Sequence, residues 1–357
     1  MTTAPLVVGL DVSAAAVERP TGVALAIRRL ALALDARDDT VVQPFLRRSR
    51  RKSRHTLPEL SRAPEWILGP LFRRRDIGLF HGPDTRLPAG LRRPMVATIH
   101  DFSALHPAGF SRPSFARTRL KHYESAVRRS RRIIVYTAAI AAEVVERFEV
   151  ERDRIDVVPL APAADRAAVS PVEEPERPFL LLLGELSRRK NSARALRAFG
   201  IARQLSAAVR ERELKIVGRP GFGAEEVEAL LASAPPAVRR LGYVSDDELA
   251  ALLTSAETLL FPSRYEGFGL PALEAMAAGT AVIAGDCGAL REISGDAARL
   301  VDPESDEALA EAIVELCETA SLRADLVRRG RARAGEFSWQ RSAELARAAY
   351  SRALFDA

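Results

Sequence analysis

The chain has 357 residues, 47% of them apolar and 28% charged, which describes a globular sequence of two-domain length and excludes disordered or fibrous classes. No apolar run reaches the roughly 20 residues of a membrane span, the start Met1-Thr-Thr-Ala-Pro lacks the pattern of a secretory signal, and Cys287 and Cys317 are too few for a disulfide framework or a zinc cluster. A cytoplasmic, reducing-compartment protein is expected. The net charge of +6 is uneven: residues 1–165 hold 28 Lys+Arg against 18 Asp+Glu, residues 166–357 hold 25 against 29, and residues 47–132 alone hold 21 against 6. Such a field draws anions, whether a substrate or an anionic membrane surface, although a solvated arginine-rich face explains it equally well.

In chain order, Leu6–Val12 reads as a buried strand and Gly22–Leu34 as a helix. Val41–Phe45 is a strand, followed by the basic run Arg47-Arg-Ser-Arg-Arg-Lys-Ser-Arg54. Ile77–His81 and Met95–His100 are short apolar runs bounded by turn residues, hence strands. A helix is expected near Ser114–Arg128, a strand at Ile133–Tyr136, a helix at Ala138–Phe148 capped by Thr137, and a strand at Ile155–Val158. Five prolines between Pro159 and Pro178 mark a linker.

The second half begins with strand Phe179–Leu183, a helix from about Asn191 to Leu205, and strand Leu214–Val217. Ser245-Asp-Asp-Glu248 is a capping-box signature. Strand Thr258–Phe261, helix Pro271–Ala278 and strand Ala281–Ala284 follow, then helices after Ser305, the last from about Trp339 to Leu354. Strands alternating with helices imply parallel sheets covered on both faces. The expected division is an N-terminal domain 1–165, a linker 166–178, a C-terminal domain 179–337 and a C-terminal helix 338–357.

Ligands of doubly wound sheets bind beyond the carboxyl ends of strands. The loop there that is richest in chemistry is Phe261-Pro-Ser-Arg-Tyr-Glu-Gly-Phe-Gly-Leu-Pro-Ala-Leu-Glu274. Gly267 and Gly269 permit close backbone approach, and Pro271 opens a helix whose unpaired N–H groups suit a phosphate. Glu266 and Glu274 are acceptor-only groups fitted to the hydroxyls of ribose or hexose. A favourable acid in the first helical turn would explain Glu274 alone, but neither Glu266 nor the two glycines.

This Glu-x7-Glu block, running to Gly279, resembles the signature of the family 4 retaining glycosyltransferases. The resemblance covers nearly the whole chain. It includes Gly9-Leu-Asp11, Pro20-Thr-Gly22, Thr98-Ile-His-Asp101, Gly184-Glu-Leu-Ser-Arg-Arg-Lys-Asn191 and Leu241-Gly-Tyr-Val-Ser-Asp-Asp-Glu-Leu249, all in the family's order. It implies the GT-B fold: two doubly wound, Rossmann-like α/β domains facing a cleft, with the C-terminal helix crossing back to the N-terminal domain. It also implies catalytic roles for Glu266, Lys190 and His100. Donor binding is implied for Gly22, Arg189, Lys190, Tyr243, Val244, Gly267, Phe268, Gly269, Leu270 and Glu274. The segment His100–Pro107 and the Arg-Lys-Asn run resemble bacterial mannosyltransferase-like members that build polysaccharides. The donor is then GDP-mannose or another nucleotide-diphosphate sugar, and the acceptor a glycan or lipid-linked glycan. No cofactor, metal or nucleic-acid partner is implied, and the expected location is cytoplasmic, peripheral on the inner face of the membrane.

One position departs from the pattern. Many members place an arginine after the glycine of the basic motif, on the donor diphosphate; here it is Glu185, which cannot donate when ionised. Arg189 is the candidate substitute beside Lys190. No Asp-x-Asp pair occurs, so charge neutralisation is expected from Lys190, Arg189 and helix-end amides. Two alternatives stand beside this reading. Gly267-Phe-Gly-Leu-Pro-Ala272, with Asp286 beyond it, imitates a dinucleotide fingerprint and would suit an NAD-dependent sugar-nucleotide enzyme, but five residues separate the strand from Gly267. A basic nucleic-acid-binding protein would use the N-terminal half, yet aromatic residues are only 6% and no known module is present.

Overall fold

The computed structural model describes residues 4–18, 20–57, 59–67, 76–163 and 177–355; the side chains of Arg51 and Arg54 are not described. Residues 166–176 of the expected linker lie outside the described residues. The chain divides into two units, one made of 1–102, 113–160 and 338–357, the other of 103–112 and 161–337.

The first unit contains β1 (Leu6–Asp11), α1 (Gly22–Asp35), β2 (Thr40–Arg47), β3 (Glu65–Ile67), β4 (Leu79–Gly82), β5 (Met95–Thr98), α2 (Pro113–Arg129), β6 (Arg132–Val135), α3 (Ala138–Phe148) and β7 (Ile155–Val157). Its seven strands are all parallel in the order β3-β2-β1-β4-β5-β6-β7. The order reverses direction between β1 and β4, which opens a crevice at their carboxyl ends. Strands β4, β5 and β6 are buried throughout, as expected where helices cover both faces. The Thr21 hydroxyl caps α1 by accepting from the Ala24 N–H, and Thr137 caps α3 by accepting from the Ile140 N–H (3.3 Å).

The second unit contains β8 (Phe179–Leu183), α4 (Ser192–Leu205), α5 (Ala207–Arg210), β9 (Glu213–Val217), α6 (Glu225–Ala232), β10 (Val238–Gly242), α7 (Asp246–Ser255), β11 (Thr258–Phe261), α8 (Leu270–Ala278), β12 (Ala281–Gly285), α9 (Gly288–Ser294), β13 (Arg299–Val301), α10 (Asp306–Glu318) and α11 (Ala320–Gly335). Its six parallel strands run β10-β9-β8-β11-β12-β13, the same order as in the first unit, with the reversal between β8 and β11. The Ser245–Glu248 capping box is formed in both directions: Glu248 N–H donates to Ser245 Oγ (3.2 Å) and Ser245 N–H to Glu248 Oε2 (2.7 Å).

The C-terminal helix α12 (Trp339–Phe355) belongs to the first unit. Ala343, Ala346, Ala349 and Ala353 give it a small-residue face that packs with Ile27, Leu30 and Leu34 of α1 and with the β1 core. His81, fully buried on β4, is bonded on both sides, at 2.8 Å to Tyr350 Oη and 2.8 Å to Thr98 Oγ1. Arg132 pairs with Asp156 at 2.9 Å, and Arg352 of α12 reaches the same carboxylate.

Both units are doubly wound parallel α/β folds, as the alternation of strands and helices implies. The strands that the sequence did not announce are β3, β10 and β13. All three lie at sheet edges, and β10 exposes three of its five residues, so no buried apolar run marks it.

Candidate active site

In the second unit the carboxyl ends of β8 and β11 flank the reversal of strand order, and the loops leaving them are laced together. After β8, Asn191 takes a left-handed conformation (φ 60°) that ends the loop and starts α4. Its amide donates to the Pro262 carbonyl at 3.1 Å and to the Pro303 carbonyl at 2.7 Å. The Arg264 N–H donates to the Arg189 carbonyl at 2.9 Å. These bonds fix residues 189–191 against residues 262–266.

The consequence is a three-charge group. Lys190 Nζ donates to Glu266 Oε1 at 2.6 Å, and Arg189 Nη1 lies 3.0 Å from Glu266 Oε2 and donates to the Tyr265 carbonyl at 3.1 Å. The ammonium also lies 4.4 Å from the centre of the Phe261 ring, a cation–π contact. Burial alone would raise the Glu266 carboxyl, but the Arg189 and Lys190 charges outweigh it and hold it down to about 2. Two cations against one carboxylate leave the group with a net positive charge on the carboxyl side of the sheet.

Glu266 leads into Gly267, Phe268 and Gly269, and Gly269 (φ 110°) serves as N-cap of α8. A side chain there would be strained and would strike Leu290 Cδ2, so only glycine brings the chain into the helix at this angle. Phe268 is buried edge-on against Phe337, their ring centres 6.0 Å apart. Leu270 opens α8 and Glu274 lies buried one turn in. Tyr243 and Val244 follow β10, with Tyr243 59% exposed. Cys287, at the start of α9, is pushed up to about 11 by burial and stays a thiol. Segment 103–112 belongs to this unit: the His106 ring stacks on Phe110 (4.5 Å) and lies 5.1 Å from Tyr265.

The structure thus brings Arg189, Lys190 and Glu266 into direct contact and sets Gly267, Phe268, Gly269 and Leu270 in the same loop. Gly22 and His100 are in the first unit. Gly22 is the first residue of α1, with open space where a side chain would go. His100 follows β5, buried, its ring 5.3 Å from that of Tyr136. Burial lowers its pKa, while Asp84 and Asp101 pull in the other direction. The Pro83 backbone approaches the ring, but neither imidazole nitrogen completes a hydrogen bond with a described residue. Asp84, in the loop after β4, pairs with Arg86 at 2.6 Å and Arg119 at 3.4 Å. The sequence pattern singles out neither Asp84, which lies in a Gly-Pro-Asp turn, nor the long-range bonds of Asn191, which lies between a basic pair and a helix.

The charged group and the glycine-bearing loop thus lie at the carboxyl ends of the strands, where doubly wound sheets bind their ligands. Residues 165–333 match the model of group 1 glycosyl transferases, and residues 20–161 match that of glycosyltransferase family 4. The O-antigen chain mannosyltransferase B of Escherichia coli is 30% identical over 73% of this chain and 71% of its own length. The MMP alpha-(1->4)-mannosyltransferase of Mycolicibacterium hassiacum is 32% identical over 73% of this chain and 66% of its own. The D-inositol 3-phosphate glycosyltransferase of Pseudarthrobacter chlorophenolicus is 32% identical over 62% of this chain and 56% of its own length. In structure, the chain is similar to a sucrose-phosphate synthase from Thermosynechococcus elongatus, with a TM-score of 0.74, 22% identity and coverage of 99% and 100%. It is also similar to Anabaena Alr3699/HepE solved with UDP and glucose, with a TM-score of 0.71, 17% identity and coverage of 97% and 99%. The chain belongs to glycosyltransferase family 4, and it is an enzyme with the GT-B fold.

Proposed function

We propose that the chain is a retaining, metal-independent hexosyltransferase that moves mannose from GDP-mannose, or another nucleotide-diphosphate sugar, to a glycan or lipid-linked glycan. The observation that carries it is the Lys190–Glu266–Arg189 group held beside the start of α8. Lys190 would neutralise charge developing on the departing diphosphate, helped by the amides of Gly269 and Leu270. Arg189, bound to Glu266 and the Tyr265 carbonyl, would act more by holding Glu266 than by touching phosphate. Glu266, ionised and anchored, would accept hydroxyls of the hexose, and Glu274 those of the ribose. Tyr243, Val244, Gly267 and Phe268 would complete the donor site of the second unit; in the first unit, Gly22 is proposed as a donor-binding residue and His100 as a catalytic one. A diphosphate oxygen takes the proton of the incoming hydroxyl on the face it leaves, so no covalent enzyme intermediate is needed.

Mannose is favoured by the names of the Escherichia coli and Mycolicibacterium hassiacum relatives, while the inositol-phosphate relative keeps a small phosphorylated acceptor open. A position on the inner face of an anionic membrane belongs to the same proposal. It is supported by the basic excess of residues 47–132 and by Phe115 of α2, which is 54% exposed. Among the described residues, no helix is long and apolar enough to cross a membrane. A thermal-shift panel of GDP-, UDP- and ADP-sugars, followed by transfer assays with the stabilising donor, tests the proposal. A donor at a hundredfold its dissociation constant should stabilise by about 2.7 kcal/mol. No shift and no transfer with any sugar nucleotide would overturn it.

A further inference from the structure

Glu185 is a carboxylate on the loop that carries Lys190, where a diphosphate would be repelled by it. Its side chain is turned elsewhere. A Cβ placed on Gly221 would lie 2.3 Å from Glu185 Cγ, 2.4 Å from Cδ and 2.6 Å from Oε2, so the acidic side chain rests across Gly221. Gly221 is not among the glycines of positive φ, so its missing side chain provides room rather than backbone freedom.

The seat is rigid. The Leu186 N–H donates to the Arg219 carbonyl (2.9 Å), the Gly221 N–H to the Leu186 carbonyl (2.9 Å) and the Arg188 N–H to the Phe222 carbonyl (3.1 Å). A further bond from the Gly218 N–H to the Gly242 carbonyl (2.9 Å) ties this loop to the end of β10. Phe222, next to Gly221 in the chain, is 37% exposed, and Leu241 and Tyr243, on either side of Gly242, are 36% and 59% exposed. Among the described residues of this unit, the only other large exposed apolar side chain is Leu205, on α4. The carboxyl ends of β9 and β10 thus carry exposed apolar side chains on the same stretch of backbone as the Glu185 seat.

That combination suits a heteroaromatic base, and it discriminates among bases. A carboxylate accepts through both oxygens and donates nothing. Guanine offers two adjacent donors on one edge, the ring N1–H and the exocyclic N2–H. Uracil flanks its single N–H with two carbonyl oxygens, and adenine sets its amino group beside a bare ring nitrogen; both would oppose the carboxylate. We propose that Glu185, seated on Gly221, reads the guanine edge and makes the donor a GDP-sugar. This rests on the nucleotide-sugar reading above and names the donor within it.

Inosine diphosphate, which lacks only the exocyclic amino group, is the discriminating probe. Titration calorimetry of the whole chain with GDP, IDP, UDP and ADP should show GDP ahead of IDP by roughly tenfold to a hundredfold, the worth of the one charge-assisted hydrogen bond that IDP cannot make. Glu185→Gln, isosteric and exposed, should collapse the GDP-to-IDP ratio while leaving UDP and ADP unchanged or improved. Gly221→Ala, which displaces the carboxylate without altering it, should do the same, and a thermal melt of each variant reports its folding. Equal binding of GDP and IDP by the wild type, or an unchanged ratio in Glu185→Gln, overturns the assignment. Transfer from a UDP- or ADP-sugar at least as fast as from a GDP-sugar overturns it and leaves the glycosyltransferase reading standing. Absence of binding by all four diphosphates overturns both.

Discussion

The Lys190 ammonium and the Glu266 carboxylate meet at 2.6 Å across a separation of 76 residues, and Arg189 closes the other oxygen of the same carboxylate at 3.0 Å. The pairing makes Glu266 a brace: it holds two neighbouring cations that would repel each other. Preorganised charge of this kind is effective because it needs no rearrangement when the leaving group develops its own.

Removing either partner should therefore have distinct signatures. Lys190→Ala should lower turnover roughly a hundredfold to a thousandfold, the cost of deleting one charge-stabilising donor. Its effect on stability should be small, because Arg189 still satisfies Glu266. Glu266→Gln removes a carboxylate charge that both part-buried cations contact, which should cost stability on the order of 3 kcal/mol. A thermal melt alongside the turnover assay separates the two; a Glu266→Gln variant with wild-type melting and wild-type turnover would contradict the arrangement.

The same brace sets an acid limit. The Glu266 carboxyl is held at about 2 in the folded chain against 4.5 for an unperturbed glutamate. A depressed folded value means that the stabilisation is complete above about pH 4.5 and is lost as pH falls toward 2. The full amount is on the order of 3 kcal/mol. Urea unfolding of wild type and Glu266→Gln at pH 6 and pH 3 should show the gap between them shrinking at the lower pH. A constant gap would mean that the charge of Glu266 is not what stabilises the loop.

In the first unit, His81 is an acid-sensitive group. Burial lowers it to about 3 from 6.5, so it is neutral in the fold and stability is lost as pH falls from about 6.5 toward 3. Tyr350→Phe removes the 2.8 Å bond to its ring and leaves a buried nitrogen unpaired, at a cost of about 1–3 kcal/mol. Hydrogen exchange should show α12 opening more readily in that variant. Unchanged protection of α12 would show that its alanine face, not the His81–Tyr350 bond, holds it.

The doubly wound pattern of both units was legible because central parallel strands are buried on both faces, and Leu6–Asp11 or Phe179–Leu183 therefore stand out as apolar runs. Edge strands carry no such mark: Val238–Gly242 is half water-facing and includes Arg239 and Arg240. The Glu266–Gly269 loop stands out in the sequence because two glycines follow a carboxylate just before a helix, and for Gly269 the structure supplies a backbone reason, its φ of 110° at the N-cap of α8. What the sequence could not convey was pairing at long range. Nothing in the local pattern says that Arg189 spends its charge on Glu266, or that Glu185 lies on Gly221, since both depend on loops brought together by strand order.

Membrane association should depend on both charge and apolar contact in the first unit. Lys52, Arg117 and Lys121 are exposed, as are Phe115 and Leu120 of α2. Each basic residue near an anionic surface contributes about 1 kcal/mol, so Arg117→Gln with Lys121→Gln should weaken vesicle binding roughly thirtyfold. Sedimentation with anionic and neutral vesicles at low and high salt measures it, with Arg341→Gln, 63% exposed on α12, as the control. Equal binding to both vesicle types, or none at low salt, would leave the basic face as a solvated surface.

The most direct measurement of the central claim is proton NMR of the sugar transferred from an α-linked sugar nucleotide in the presence of EDTA. The account predicts release of the nucleoside diphosphate, an α-linked product, turnover indifferent to the chelator, and diphosphate release and product formation both slowed roughly a hundredfold to a thousandfold in Lys190→Ala. A β-linked product, or turnover that stops in EDTA and returns with magnesium or manganese, would contradict it.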